Sequence, residues 1–554
     1  MILAACLAGG CQGPQQRQLN GFIAKYVSVM DPLNREANLA FWAATTQGRP
    51  EDYNDLGRLQ LAIRRITSDP DDFAFLKALR HGGSIREPRL RRQLDKLYYA
   101  YLQNQMPPDL LTQITDLDTR IQQAYNNYRG SMAGQPVTMS DIYTLLTTEK
   151  DCSKREQAWR ASKQVGDAIA PDLIRLVKLR NQAARQLGFD NFYTLTIVTG
   201  EQDVAELDRL FDQLDRLTQA PFGRMKAELD TILAKSYGIS VQDLRPWHYH
   251  DPFFQRTPLV YELDLDAYYK GRDVKELARR YYAGVGLPID DILARSDLHD
   301  RPGKDPHAYG QDIDRHGDVR VLANLQDTER WMETILHEVG HALYSKYHDP
   351  CESWLLREPA HNFTTEAVAM FFGRLSRSAD WMQVMLGLSD DQRQQIDAVS
   401  TRYLQFQQVL FVRWALVMVR FEKQLYANPD QDLNTLWWDL VERYQLVRRP
   451  PGPVDAGWAS KLHFVKAPCY YHNYVLGELL ASQFEHKIVQ DVLKVGPGQR
   501  VSLADDPRIG RFFIDQVFGP GALYPWQEMI GRATGEPLTP KYFVQQFIQE
   551  QPSH

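Results

Sequence analysis

Apolar side chains recur at three- and four-residue steps along most of this chain. Val204, Leu207, Leu210, Phe211, Leu214 and Leu217 stand among Asp, Gln and Arg, the stripe of an amphipathic helix with one face on a core. The same period runs through residues 158–187, closed by Gly188, and through residues 391–426. The interruptions are few: a Pro-bracketed aromatic run at 244–252, a loop at 301–306 and a Pro-rich loop at 449–453. Residues 318–325 cluster β-branched and apolar side chains and predict one short strand. No Ser/Gly linker or internal repeat divides the chain, so the pattern predicts a mainly α protein with a single large domain over residues 16–554.

Composition narrows the function classes. The 554 residues are 44% hydrophobic and 24% charged, ordinary for a globular chain able to bury a large core. Lys plus Arg total 64 against 70 Asp plus Glu, so nucleic-acid binding has no electrostatic support. The most apolar long stretch, 404–421, carries Gln405, Gln407, Gln408, Arg413 and Arg420, which predicts a buried core helix and no transmembrane span. Five scattered cysteines are too few for a disulfide scaffold or a thiolate metal site. A bound metal must then be held by His and carboxylates.

Residues 1–15 resemble the end of a bacterial secretory leader, with small residues preceding a cysteine. Leu3-Ala4-Ala5-Cys6 fits a lipobox best and Ala8-Gly9-Gly10-Cys11 is a second candidate. The expectation is an exported, periplasmic or membrane-anchored bacterial lipoprotein with its lipid at Cys6 or Cys11.

His337-Glu338-Val339-Gly340-His341 spells HExxH, flanked by apolar Trp331, Met332, Ile335 and Leu336. Residues four apart share a helix face, so both imidazoles reach one metal, and Glu338 sits one position round, where it can take a proton from water. A zincin with a third histidine is excluded, because the positions that continuation needs are Tyr344 and Tyr347. Glu366, on a second predicted helix, is the candidate third ligand. Two His and one Glu leave a fourth position open, as catalytic zinc requires.

Three separated segments carry a resemblance. His307-Ala308 precedes HExxH, Glu366 follows it, and Lys461-Leu462-His463 is followed by Tyr471 and Tyr474. From about residue 300 to 480 the chain resembles the angiotensin-converting enzyme family of peptidyl-dipeptidases, and more distantly the thimet-type oligopeptidases. The resemblance implies a large helical, two-lobed fold with a deep central cleft and a short β element near one zinc ion. It implies that Glu338, His463 and Tyr474 act on the scissile bond. His307 and Ala308 would align the substrate backbone, and Lys461 and Tyr471 would hold its C-terminal carboxylate.

The implied activity is hydrolysis of short peptides with release of C-terminal dipeptides. The alternatives are an endo-acting oligopeptidase and a non-catalytic, lipid-anchored peptide-binding protein. Several positions depart from the family pattern. The carboxylate-assisting glutamine has no counterpart in Trp247-His248-Tyr249-His250, the chloride-linked arginine is Asn473, and the aspartate that orients a zinc imidazole is Met370. His248 and His250 read as structural or substrate-lining, His348 and His361 as groups near the metal helices, and Cys469 as packing.

Overall fold

The three long stripes become three of the four longest helices among the described residues. The Val204–Tyr237 helix starts where Asp203 accepts the Glu206 N–H at 2.8 Å. The stripe at 158–187 lies within Cys152–Gln186, which begins earlier because Asp151 caps it and which continues through Pro171. The third helix, Asp390–Ala427, opens on a capping box between Ser389 and Gln392. Its apolar stretch is buried on every side, with Val409, Val412, Trp414, Met418 and Phe421 sealed in the core. A computed structural model describes residues 13–258, 264–496 and 499–548. The candidate lipidation sites Cys6 and Cys11 lie outside the described residues, and Pro14 and Gln15, the last residues of the stretch expected to be a leader, open the Pro14–Gln47 helix.

The mainly α expectation holds. Among the described residues no helix is long and apolar enough to cross a membrane. Among the described residues the strands form two antiparallel pairs, Gly130–Met132 with Gln135–Val137 and Tyr309–Asp312 with Val319–Leu322. The second pair contains the predicted strand, and its register sets Gly310 opposite Val321 and Asp312 opposite Val319.

The chain forms two compact units, each assembled from separated segments. The first comprises Met1–Gln105, Lys270–Gly373 and Leu503–Pro537; the second comprises Met106–Tyr269, Arg374–Ser502 and Leu538–His554. In the first, Tyr281, Tyr282, Phe371, Phe372 and Phe513 pack ring on ring beneath the HExxH helix. In the second, Trp414, Phe421, Trp437, Trp458 and Phe464 do the same. Rings of this size each bury 150–250 Å², roughly, and the pairs here are a mixture of tilted and edge-to-face.

Candidate active site

The HExxH motif lies on the Glu329–Lys346 helix, which Thr328 opens by accepting the Trp331 N–H at 3.3 Å. Met332, Ile335, Leu336 and Val339 are fully buried on one side. Turned the other way, His337, Glu338 and His341 are partly accessible. The Asn362–Gly373 helix crosses at Gly340, where a Cβ would stand 2.9 Å from the Ala369 Cα. Only a glycine there lets the helices approach closely enough for Glu366 to face the two histidines.

The Nε2 atoms of His337 and His341 are 3.2 Å apart, and Glu366 Oε2 lies 3.8 and 3.9 Å from them. Tetrahedral zinc with bonds of about 2.0–2.1 Å to nitrogen separates its ligand atoms by about 3.3 Å, so this donor set fits one zinc ion. Among the described residues this is the one His/Cys/Asp/Glu group with that geometry. Burial lowers the His337 pKa to about 4 and that of His341 well below its usual value, so both rings are neutral, the form that ligates. His341 Nδ1 is 2.8 Å from the Thr365 hydroxyl.

The Glu338 carboxyl is strongly perturbed. Burial, and secondarily the Glu366 carboxylate, pushes its pKa up to about 8, opposed by the Gly310 N–H that donates to its Oε2 at 3.1 Å. That bond comes from the outer edge of the Tyr309–Asp312 strand. In an antiparallel pair, alternate residues turn both backbone polar groups away from the partner strand. Gly310 does so towards Glu338, and Asp312 turns its carbonyl to the Asn38 amide at 3.1 Å. Ala308, two positions before Gly310, continues that outward edge. The His307 side chain is 88% exposed and sits 3.0 Å from Asp305 Oδ1. His361 serves as a helix cap, its Nδ1 accepting the Phe363 N–H at 3.1 Å, and His348 is buried against Tyr344.

The second unit holds the remaining expected residues. Lys461 follows the turn Gly457–Ser460, which lies on the Cys152–Gln186 helix at Gly166, where a Cβ would meet the Ala456 carbonyl oxygen at 2.3 Å. Asp167 accepts the Ala456 N–H at 2.8 Å and Tyr125 donates to the Ser460 carbonyl at 3.2 Å, so the turn is fixed from both ends. The buried Lys461 ammonium donates to Gln255 Oε1 at 2.7 Å and lies 5.2 Å from the centre of the Trp414 ring. Burial lowers its pKa to about 8, with Asp251 opposing and Arg256 reinforcing the shift.

Tyr471, rather than its neighbour Tyr470, faces this lysine, 5.7 Å from ring centre to Nζ. Its phenol oxygen accepts from Trp414 Nε1 at 2.6 Å, which leaves its own proton free to donate. His463 stands edge-on to Tyr471, and Tyr471 edge-on to Tyr474. Burial, reinforced by Lys461, lowers the His463 pKa to about 4. Asn473 accepts from Gln202 Nε2 at 3.0 Å, and the other end of that amide meets His472 at 2.7 Å, so a hydrogen-bonded amide network stands where the resemblance would place an arginine. Cys469 is buried and burial, then Glu422, raises its thiol pKa well above the usual value, so it is no nucleophile.

Two partners escape the sequence reading. Gln255 lies beyond the Trp247–His250 loop, just past Pro252-Phe253-Phe254, and its amide oxygen meets Lys461. Thr365 is the group that meets a zinc imidazole where Met370 cannot. The loop histidines are structural in their contacts: His248 Nδ1 accepts the Arg245 N–H at 2.9 Å, and His250 Nε2 pairs with Tyr237 at 2.9 Å.

A mainly helical chain with two imidazoles and a glutamate converging beside a partly buried second glutamate has the construction of a metallopeptidase centre. The angiotensin-converting enzyme family profile matches residues 14–246 and 267–547, and the chain belongs to that family. It is similar to angiotensin-converting enzyme of Sus scrofa, 24% identical over 72% of this chain and 32% of that protein. It resembles the enzyme of the same name from Oryctolagus cuniculus at 23% identity, over 74% of this chain and 34% of the relative. Thermostable carboxypeptidase 1 of Pyrococcus furiosus is 21% identical over 70% of this chain and 75% of its own length. The match thus spans about a third of the two mammalian proteins.

Proposed function

We propose that the protein is a zinc-dependent metallopeptidase that hydrolyses short peptides and releases C-terminal dipeptides, working outside the cytoplasm as a lipid-anchored or periplasmic enzyme. The observation that carries the hydrolytic reading is the His337/His341/Glu366 set with Glu338 beside it. A zinc ion held there supplies Lewis acidity and makes water a stronger acid. Glu338 takes the proton of the attacking water and returns it to the leaving amine. Gly310 fixes Oε2 and leaves Oε1 for that transfer. Neutral His463 and Tyr474 have the role of donors to the developing oxyanion. Ala308 aligns the substrate main chain through its backbone, with His307 beside it.

The dipeptide-releasing reading rests on the Lys461, Gln255 and Tyr471 cluster. A buried cation, an amide whose oxygen is already occupied, and a phenol whose oxygen is already accepting all present donors, which is what a free carboxylate requires. The interval from His341 to Glu366 favours a second reading, an endo-acting oligopeptidase.

Mass spectrometry of digests of one peptide as free acid and as C-terminal amide separates the two. Dipeptides released from the free acid alone support the first. Internal cuts indifferent to amidation would remove it, and release of single residues would point to a carboxypeptidase.

A further inference from the structure

We infer that Thr365 is the positioning residue that sets the tautomer of His341 and thereby the affinity of the metal centre. The inference rests on the zinc reading above. His341 ligates through Nε2, the atom 3.9 Å from Glu366 Oε2 and 3.2 Å from His337 Nε2. A ring that offers a lone pair at Nε2 must carry its proton on Nδ1. The Thr365 Oγ1 is 2.8 Å from Nδ1, so the hydroxyl accepts that proton's hydrogen bond and fixes both the tautomer and the plane of the ring.

Thr365 immediately precedes Glu366, so one turn of the Asn362–Gly373 helix delivers both the third ligand and the group that orients the second. The close helix crossing at Gly340 makes this arrangement reachable: with the backbones this near, a three-atom side chain spans the gap. A hydroxyl differs from a carboxylate in this role. It orients the ring without adding negative charge, so the centre keeps the charge of its three ligands alone.

The neighbouring Thr364 is committed elsewhere, its hydroxyl donating to the His361 carbonyl at 2.7 Å. The Met370 thioether, one turn on from Glu366, is a weak acceptor.

The test is zinc affinity, measured by chelator competition on the full chain, for the parent protein, Thr365→Val and Thr365→Ser, with thermal unfolding of each metal-free protein as the fold control. Valine keeps the shape and removes the acceptor; serine restores the acceptor. The expected result is zinc binding weakened about 10- to 100-fold by valine and returned to within about threefold of the parent by serine, with metal-free melting unchanged. Equal affinity of the valine variant and the parent would overturn the role of Thr365 while leaving the zinc reading intact. So would failure of serine to restore affinity. Absence of zinc binding by the parent would overturn the zinc reading and the inference with it.

Discussion

Lys461 and Gln255, 206 positions apart in sequence, share a 2.7 Å hydrogen bond inside an aromatic surround of Phe253, Trp414 and Tyr471. The bond occupies the amide oxygen and turns the amide nitrogen outward as a donor. Its Nε2 has only a long contact of 3.5 Å to Asp251. A lysine and a glutamine so arranged are a matched pair for one anionic group.

Removing either member should therefore raise KM for free-acid peptides and leave amidated peptides almost untouched. Hydrogen bonds to charged groups contribute about 1.5–3 kcal/mol, which corresponds to roughly 10- to 150-fold in kcat/KM. Steady-state kinetics of Lys461→Met and Gln255→Leu on the paired substrates measure this. Equal losses on both substrates would assign the cluster a purely structural role.

The same lysine sets a pH dependence. Burial lowers its pKa to about 8, so the ammonium is present below that pH and lost above it. The ratio of kcat/KM for free-acid peptides to that for amidated peptides should fall as pH rises through about 8, since the titration of Glu338 acts on both substrates alike. Lys461→Arg, which stays charged, should flatten the alkaline fall even if its overall rate is lower.

Glu338→Gln should bind zinc as the parent does and lose turnover by about 10²- to 10⁴-fold, the usual contribution of a positioned proton-transfer group. Metal analysis alongside the rate assay distinguishes this from ligand loss. Full activity in that variant would exclude the assigned proton path.

Gly340→Ala should destabilise the first unit by about 1–3 kcal/mol, because the added methyl meets the Ala369 Cα at 2.9 Å and one helix must shift. A lowered melting temperature with weakened zinc affinity is the expected pair of changes. Unchanged values of both would mean that the crossing is slack.

The parts of the site readable from sequence are those that depend on a single helix. His337, Glu338 and His341 follow from the helical repeat alone, and the strand at 319–322 from its β-branched run. Gln255 was not readable, because its partner lies far along the chain and the loop's path past Pro252 decides which side chain arrives. Thr365 was not readable for a smaller reason. Two threonines stand side by side, and the 100° of helix rotation between them sends one hydroxyl to its own backbone and the other to His341. The helix carrying Lys461's support begins at Cys152, ahead of the visible stripe, because its cap, Asp151, is followed by polar residues that show no apolar period. The partition into two units was not readable from the residues, since its boundaries fall in short loops and at helix ends like those between any two helices, with no Ser/Gly linker.

The interleaving of segments also governs how the protein comes into being. Each unit takes its last segment from beyond Ser502, so a nascent chain halted anywhere before Pro537 leaves both of them incomplete. The N-terminal-first order by which multidomain chains usually fold on the ribosome is closed to this one. Both cores stay unfinished until the segments beyond Ser502 have been made, so apolar surface of the earlier segments waits for partners that come hundreds of residues later.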